Sequence, residues 1–244
     1  MKEIDSDVKD YIFKNLLSKI NLIEDTEIVE CEKNKVITNK NEELEGVPFF
    51  ATGRVPNSEI AKDIVELNQN NTIKVNEMME TNVEHIYAAG DVTGGYQLTP
   101  VARMEGITAA RNMANYPNKV VYHEIPQTLS LNTEVSFVED EKNNCSDENK
   151  VDIGIPGIAG PGAFWKILSG DTGYTKISFD KKQNKIKKIT SISPSSVSDV
   201  AYLSYLMRIN SPLDAYGDFL EIHPSTDANY KIINGQLEVK IWMQ

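Results

Sequence analysis

The strongest constraint on the fold is the stretch IYAAGDVTGGYQLTPVARMEG, which runs from Ile86 to Gly106. A short apolar run ends at Gly90-Asp91, two further glycines follow, and Thr99-Pro100 then begin an alanine-rich segment. Thr at the N-cap followed by Pro at the first helical position is typical of a helix start. The pattern therefore predicts a carboxylate at the end of a strand, close to the N-terminus of a helix.

Such an arrangement has a defined chemistry, because α/β folds bind ligands at the carboxyl ends of strands. Asp91 can accept hydrogen bonds from hydroxyl groups, while the helix start and its dipole favour negative charge or a carbonyl oxygen. The two ends together suit a ligand that carries a polyol and an electron-accepting ring. The residues alone leave an ordinary turn after a strand as the alternative.

Periodicity predicts the remaining elements. Apolar spacing predicts helices at residues 8–20 and 60–67, with strands at TIKVN and HIYAAGDV. In the second half, residues 139–152 predict a charged loop and GIPGIAGPG a glycine-rich turn, before an antiparallel meander of AFWKILS, YTKISFD and KIKKITSIS. Helices are expected at residues 196–208 and 212–220. The fold class is an α/β remnant of nucleotide-binding domains followed by an α+β dimerisation domain with an antiparallel sheet.

Two apolar groups are expected to be buried. One is the run in GVPFF, which precedes a turn. The other is the inward face of the helix that begins near Pro100, with Val101, Ala102, Ile107, Ala110, Met113 or close neighbours.

Charge and cysteine content exclude several classes of protein. The formal net charge is -11 and no basic stripe is present, which argues against a nucleic-acid partner. Cys31 and Cys145 follow no spacing typical of a zinc site or a redox pair, so no metal site is predicted. The acidic start and the lack of an apolar run of about 18 residues predict no signal peptide and no membrane span. A cytoplasmic location is the simplest inference.

The order of several motifs resembles a known family. ATGRVPN at residues 51–57, TNVEHIYAAGDV at 81–92 and EG at 105–106 are followed by IPQTLSLNTEVSFV and, near the end, IHPSTD. Together they resemble the pyridine nucleotide-disulfide oxidoreductases, the family of dihydrolipoamide dehydrogenase, glutathione reductase and mercuric reductase. The resemblance is to the C-terminal half of that family only. It implies a partial NAD(P)-binding domain at 1–53, the C-terminal segment of the FAD-binding domain at 54–121, and a dimerisation domain at 122–244.

The resemblance also implies site residues. In the family, the aspartate that corresponds to Asp91 binds the ribityl hydroxyls of the flavin, and the following helix points its N-terminus at the pyrimidine side of the isoalloxazine. By this correspondence Gly90, Asp91, Leu98 and Thr99 are flavin contacts. His223 lies where the family has a histidine that acts as acid-base catalyst in the partner subunit's active site. The glutamate that orients this histidine falls at Ala228, a departure from the pattern.

The family's N-terminal half supplies two GxGxxG fingerprints and the redox disulfide, and this chain contains none of them. One hypothesis is therefore the C-terminal portion of an FAD-dependent NAD(P)H oxidoreductase. In that case FAD and NAD(P)H bind only together with the missing half, supplied for example by a separate N-terminal chain, and the isolated chain is inactive. The alternative is a non-catalytic dimerisation or interaction module that has lost flavin and disulfide chemistry. The resemblance implies a homodimer, and the large apolar residues after Tyr122 favour one.

Overall fold

The computed structural model describes residues 4–141, 147–156, 173–218, 220 and 233. Its contacts divide the chain into two compact units, one made of Met1–Asn21 with Tyr122–Gln244 and the other of Leu22–Val121. We call the first the sheet unit and the second the inserted unit, because the chain enters and leaves the second from the first. The division into family domains at residues 53 and 121 stays a prediction.

The described residues include three α-helices and eight strands, which we number in chain order. The helices are α1 (Ser6–Tyr11), α2 (Thr99–Met113) and α3 (Ser196–Arg208). The strands are β1 (Ile28–Cys31), β2 (Lys35–Thr38), β3 (Glu43–Glu45), β4 (Gln127–Leu129), β5 (Val135–Glu139), β6 (Lys150–Pro156), β7 (Tyr174–Asp180) and β8 (Lys185–Ile192). No helix among them combines the length and the apolar character that crossing a membrane requires.

The sheet unit is built on an antiparallel sheet of order β4-β5-β8-β7-β6. The α3 helix packs against β5 and β8, and its Leu203 is fully buried with Ile177 and Ile189 of the sheet. The predicted antiparallel strands YTKISFD and KIKKITSIS and the helix at 196–208 are confirmed. The predicted helix at 212–220 is a 3₁₀ segment at Leu213–Asp218, and AFWKILS lies outside the described residues.

Strand β6 corrects the sequence interpretation, which expected a loop and a glycine-rich turn across these residues. Val151, Ile153 and Ile155 alternate with Lys150 and Asp152 at the period of a strand. The alternation was not recognised in the sequence because a run of charged residues precedes it. In the structure β6 pairs with β7 along its whole length.

The first helix packs on the same sheet. Ile4, Val8 and Ile12 are buried in a cluster that also contains Val135 and Ile192. The α-helix ends at Tyr11, and one π-helical segment, Ile12–Leu16, continues it. The predicted helix at 8–20 is therefore shorter than expected, although Leu16 and Leu17 beyond the α-helix still pack against this cluster.

The inserted unit contains the antiparallel sheet β1-β2-β3 and the helix α2. The predicted strands TIKVN and HIYAAGDV form only isolated bridges, Leu67 with Ile73 and Glu80 with Tyr87. The predicted helix at 60–67 is a single 3₁₀ turn at Glu59–Ala61. Within the described residues these segments have no long neighbouring strand with which to form a ladder.

The buried face of α2 differs from the prediction, which was wrong for Ile107, Ala110 and Met113. Those three side chains are exposed, while the helix buries Val101, Glu105, Thr108, Ala109 and Asn112. Polar groups can be buried here because they are paired: Asn112 Nδ2 donates to the carbonyl oxygens of Met78 and Asn118, both at 2.8 Å.

The apolar run in GVPFF is also exposed rather than buried, with Phe49 91% accessible. Val47 and Phe50 beside it are exposed as well. No described residue covers this run, which leaves a large apolar surface on the inserted unit.

Candidate functional site

The candidate site is the turn at Gly90-Asp91 in the inserted unit. Gly90 has φ 83° and ψ -160°, a conformation that residues with a Cβ adopt only under strain. Asp91 then begins a short 3₁₀ turn, Asp91–Thr93, which ends at Gly94 with φ 87°. The two glycines let the backbone reverse on both sides of Asp91. The sequence GDVTGG therefore forms a turn from which the Asp91 carboxylate projects.

A buried carboxylate holds this turn in place. Glu105, on the second turn of α2, is 2% exposed and accepts a hydrogen bond from the Gly90 N–H over 2.6 Å. The Thr93 hydroxyl donates to the Gly90 carbonyl oxygen at 2.9 Å and also lies 3.4 Å from Glu105 Oε2. Ala102 packs where a Cβ on residue 90 would project. Glu105 thus links the first half of α2 to the turn that contains Asp91.

The Asp91 carboxylate faces solvent and forms an ion pair. Arg54 Nη1 lies 3.2 Å from Asp91 Oδ2, and the two side chains are 72% and 45% exposed. An exposed pair of this kind contributes little to stability, because water and salt screen it. Breaking the Arg54–Asp91 ion pair therefore costs little free energy, and the carboxylate can then accept hydrogen bonds from other donors.

The start of α2 supplies the second polar element of the site. The helix begins at Thr99, with Leu98 as N-cap, one residue earlier than the sequence suggested. Pro100 has no N–H, and the Ala102 N–H donates to the Leu98 carbonyl oxygen at 2.9 Å. The N–H groups of Thr99 and Val101 are those that helix geometry leaves for an external acceptor. Thr99 is exposed, so a ligand can reach this end.

The predicted site residues thus fall into two groups. Gly90, Asp91, Leu98 and Thr99 belong to one unit, the first two at the turn and the last two at the start of the helix that follows it. His223 lies outside the described residues, so its predicted catalytic role stays a prediction.

Sequence reasoning missed the roles of Arg54 and Glu105, although both stand in the quoted motifs ATGRVPN and EG. One signal could have identified Glu105. It follows Val101 by four residues and so lies on the face that α2 buries, where an acidic side chain requires a partner.

Several known proteins and one family profile are similar to this chain in sequence. The profile of a family described as pyridine nucleotide-disulphide oxidoreductase matches residues 1–106. An uncharacterized protein of Methanocaldococcus jannaschii is 30% identical over 240 residues, which is 95% of this chain and 51% of that protein. A dihydrolipoyl dehydrogenase of Buchnera aphidicola is 27% identical over 241 residues, covering 92% of this chain and 49% of the enzyme. A glutathione reductase of Pisum sativum is 41% identical over 101 residues, 38% of this chain and 18% of that enzyme.

Solved structures share the fold at lower identity. A mutant of the HOCl-induced flavoprotein disulfide reductase RclA of Escherichia coli matches 98% of this chain with 56% of its own, at a TM-score of 0.82 and 19% identity. LpdA of Mycobacterium tuberculosis matches 95% of this chain with 53% of its own, at a TM-score of 0.81 and 16% identity. This chain spans about half the length of the relatives and the structures that it matches.

Proposed function

Because this chain belongs to the pyridine nucleotide-disulfide oxidoreductase family, we propose that it acts as the C-terminal portion of an FAD-dependent NAD(P)H oxidoreductase. In this role it contributes contacts to the flavin ribityl chain and the interface of a homodimer. The observation that supports the proposal most directly is the Gly90-Asp91 turn, which Glu105 joins to the start of α2. This role requires a nucleotide-binding half in addition to residues 1–244.

The hydrogen-bonding groups at this turn and helix start fit a flavin. A carboxylate such as Asp91 accepts several hydrogen bonds and therefore suits the hydroxyl groups of a ribityl chain. The N–H groups of Thr99 and Val101, with the helix dipole, suit a carbonyl oxygen or the negative charge that a ring gains on reduction. A bound flavin would accept a hydride from the nicotinamide and pass the electrons on. These residues bind and orient the cofactor; none of them needs to react.

Arg54 has a defined part in this proposal. It pairs with Asp91 at the surface, so flavin binding exchanges one charged partner of the carboxylate for hydroxyl groups. The exchange is inexpensive because the ion pair is exposed. Arg54 itself remains near the site as a cation available to the phosphate-bearing part of a dinucleotide.

The exposed apolar surface of the inserted unit supports the need for a second half. Large apolar side chains that a folded domain normally covers are accessible on it: Val47, Phe49, Phe50, Val55, Ile60, Ile64, Ile107 and Met113. The matched relatives are about twice as long as this chain. We infer that a nucleotide-binding half covers these side chains and completes the flavin site.

The exposed face of α3 supports the homodimer. Val197, Tyr205 and Ile209 are exposed on this helix and its C-cap, and Tyr205 is 62% accessible. Leu203 and Met207, in contrast, belong to the core of the sheet unit. An apolar helix face that carries an aromatic anchor is a common centre for a self-complementary interface.

Reconstitution tests the proposed function. The chain is co-expressed with an N-terminal family half that carries the flavin fingerprint, and the purified complex is assayed for flavin absorbance and for NAD(P)H oxidation with a disulfide acceptor. We expect a yellow complex that oxidises NAD(P)H. A stable complex without flavin would refute the site, and a flavin-loaded complex that never oxidises NADH or NADPH would refute the activity.

A further inference from the structure

The inserted unit is connected to the sheet unit at both of its ends. The chain leaves the sheet unit after Asn21 and returns to it at Tyr122. The return leads directly into β4, whereas the departure depends on α1, a helix of only six residues. A helix this short is not stable by itself in water, so contacts with the sheet must hold it.

Two lysines of the sheet hold the start of α1. Asp5 bridges both: its Oδ2 lies 2.9 Å from Lys176 Nζ on β7, and its Oδ1 lies 2.8 Å from Lys188 Nζ on β8. Asp7 Oδ1 lies 2.9 Å from the same Lys176 Nζ. The lysine side chains are 13% and 12% exposed, so water screens these pairs less than it screens ordinary surface pairs.

The acids of α1 are directed to the sheet and not to their own helix. Asp5 occupies the N-cap position, yet its side chain makes no capping hydrogen bond. Tyr174 of β7 adds a hydroxyl that donates to Asp7 Oδ2 at 3.0 Å, and its ring stacks on Tyr11 with 5.6 Å between centroids. Gly154 on β6 provides the space, because a Cβ there would collide with the Tyr174 hydroxyl.

The remaining charged groups of this cluster belong to the sheet. Glu139 Oε2 lies 3.2 Å from Lys188 Nζ, and Asp152 Oδ2 lies 3.8 Å from Lys176 Nζ. If the two α1 acids are neutralised, each lysine therefore keeps one acidic neighbour on the sheet. The sheet does not depend on α1 for charge balance, whereas α1 depends on the sheet.

We propose that Asp5 and Asp7, with Lys176 and Lys188, form an electrostatic latch that fixes the entry of the inserted unit to the sheet unit. With the latch closed, both ends of the inserted unit are attached. With the latch open, α1 separates from the sheet and the inserted unit stays attached at Tyr122 alone.

Hydrogen exchange of the full chain, followed by mass spectrometry, tests the latch. The variant is Asp5→Asn with Asp7→Asn, and Glu139→Gln is the matched control, because it removes a carboxylate from Lys188 without touching α1. We expect the amides of residues 6–16 to exchange at least about tenfold faster in the double variant, while those of β7 and β8 keep their protection. In Glu139→Gln we expect residues 6–16 to exchange at the wild-type rate.

Two results would overturn the latch. One is unchanged protection of residues 6–16 in the double variant, which would show that apolar packing alone holds α1. The other is faster amide exchange in α1, β7 and β8 together, which would show that the acids stabilise one cooperative core and not α1 alone. If the double variant does not fold, Asp5→Asn alone is measured with the same criteria, because Asp5 is the residue that pairs with both lysines and the sheet retains its own acids.

Discussion

The Gly90 N–H donates to Glu105 Oε2 over 2.6 Å, and this bond joins the turn that carries Asp91 to the body of α2. We expect Glu105→Ala to lower the free energy of unfolding by about 1–3 kcal/mol, because it leaves a partly buried N–H without an acceptor. Glu105→Gln keeps an oxygen acceptor and should lower it less. Urea unfolding measures both, with Ile107→Ala on the exposed face of the same helix as control. Equal losses for Glu105→Ala and Ile107→Ala would contradict the role of Glu105.

The isolated chain should not retain FAD. The Asp91 turn and one helix start contact only part of the cofactor, and the chain lacks the fingerprint that binds the pyrophosphate. We expect colourless protein after purification in the presence of FAD. A flavin absorbance band that persists through gel filtration, near one flavin per chain, would be inconsistent with this prediction.

In the reconstituted complex, Asp91→Ala should reduce flavin retention. Each hydrogen bond to a carboxylate contributes about 1.5–3 kcal/mol, and the side-chain amide introduced by Asp91→Asn still accepts one from a hydroxyl. We therefore expect the larger loss for Asp91→Ala, measured as flavin per polypeptide after gel filtration. Glu84→Ala, which removes an exposed carboxylate of the same unit, is the control. If wild type and Asp91→Ala retain the same amount of flavin, Asp91 is not part of the site.

The homodimer should depend on the exposed face of α3. Tyr205→Asp introduces a charge at its centre, and because a two-fold interface contains each residue twice, the penalty acts twice. Light scattering across a dilution series should give a folded monomer for this variant and a dimer for the wild type. Leu203→Ala, a change in the core, should instead lower stability without changing the mass. A wild-type monomer at all concentrations would exclude the interface.

Acid should open the latch of α1. Burial opposes ionisation of Asp5, but the hydrogen bonds from Lys188 and Lys176 outweigh it and lower the pKa of the carboxyl. Burial likewise opposes ionisation of Asp7, whose pKa Lys176 and Tyr174 lower. A carboxyl with a lowered pKa in the folded state stabilises that state above its unfolded pKa of about 4, and the contribution is lost as pH falls through the folded pKa.

We therefore expect the free energy of unfolding to fall with acid more steeply below about pH 4 in the wild type than in the Asp5→Asn, Asp7→Asn variant. Above that range the pH dependence of the two proteins should be parallel, since the pKa of Lys176 and that of Lys188 are raised and both lysines stay charged. Urea unfolding between about pH 2 and pH 6 measures the difference. Identical acid limbs in both proteins would mean that these carboxylates do not stabilise the fold.

The sequence predicted an element where the apolar spacing within it is regular. The boundaries of α3 were predicted correctly, because Val200, Leu203 and Met207 repeat at helical spacing and all contact one sheet. The buried face of α2 was not, because Asn112 on that face is paired with the carbonyl groups of Asn118 and of Met78, and Met78 lies far away in sequence. An amide on a helix predicts a solvated position unless such a partner is known.

The same distinction applies to the site. The GD motif and the helix start at Thr99 are local signals, and they identify the turn from the sequence alone. The bond from Gly90 to Glu105 and the ion pair of Arg54 with Asp91 each depend on how the chain returns to itself in space. A single sequence shows residue types but does not show which residues are in contact in the folded protein.

The position of α1 has a consequence for biosynthesis. Its apolar stripe packs against Val135 and Ile192, so residues 1–21 emerge from the ribosome long before the strands that bury them. Until β5 and β8 have been translated, Val8 and Ile12 lack the surface that buries them, and the inserted unit is translated before any strand of this sheet. The sheet unit of this protein therefore cannot form vectorially, and its first helix is among the last elements to reach its native contacts.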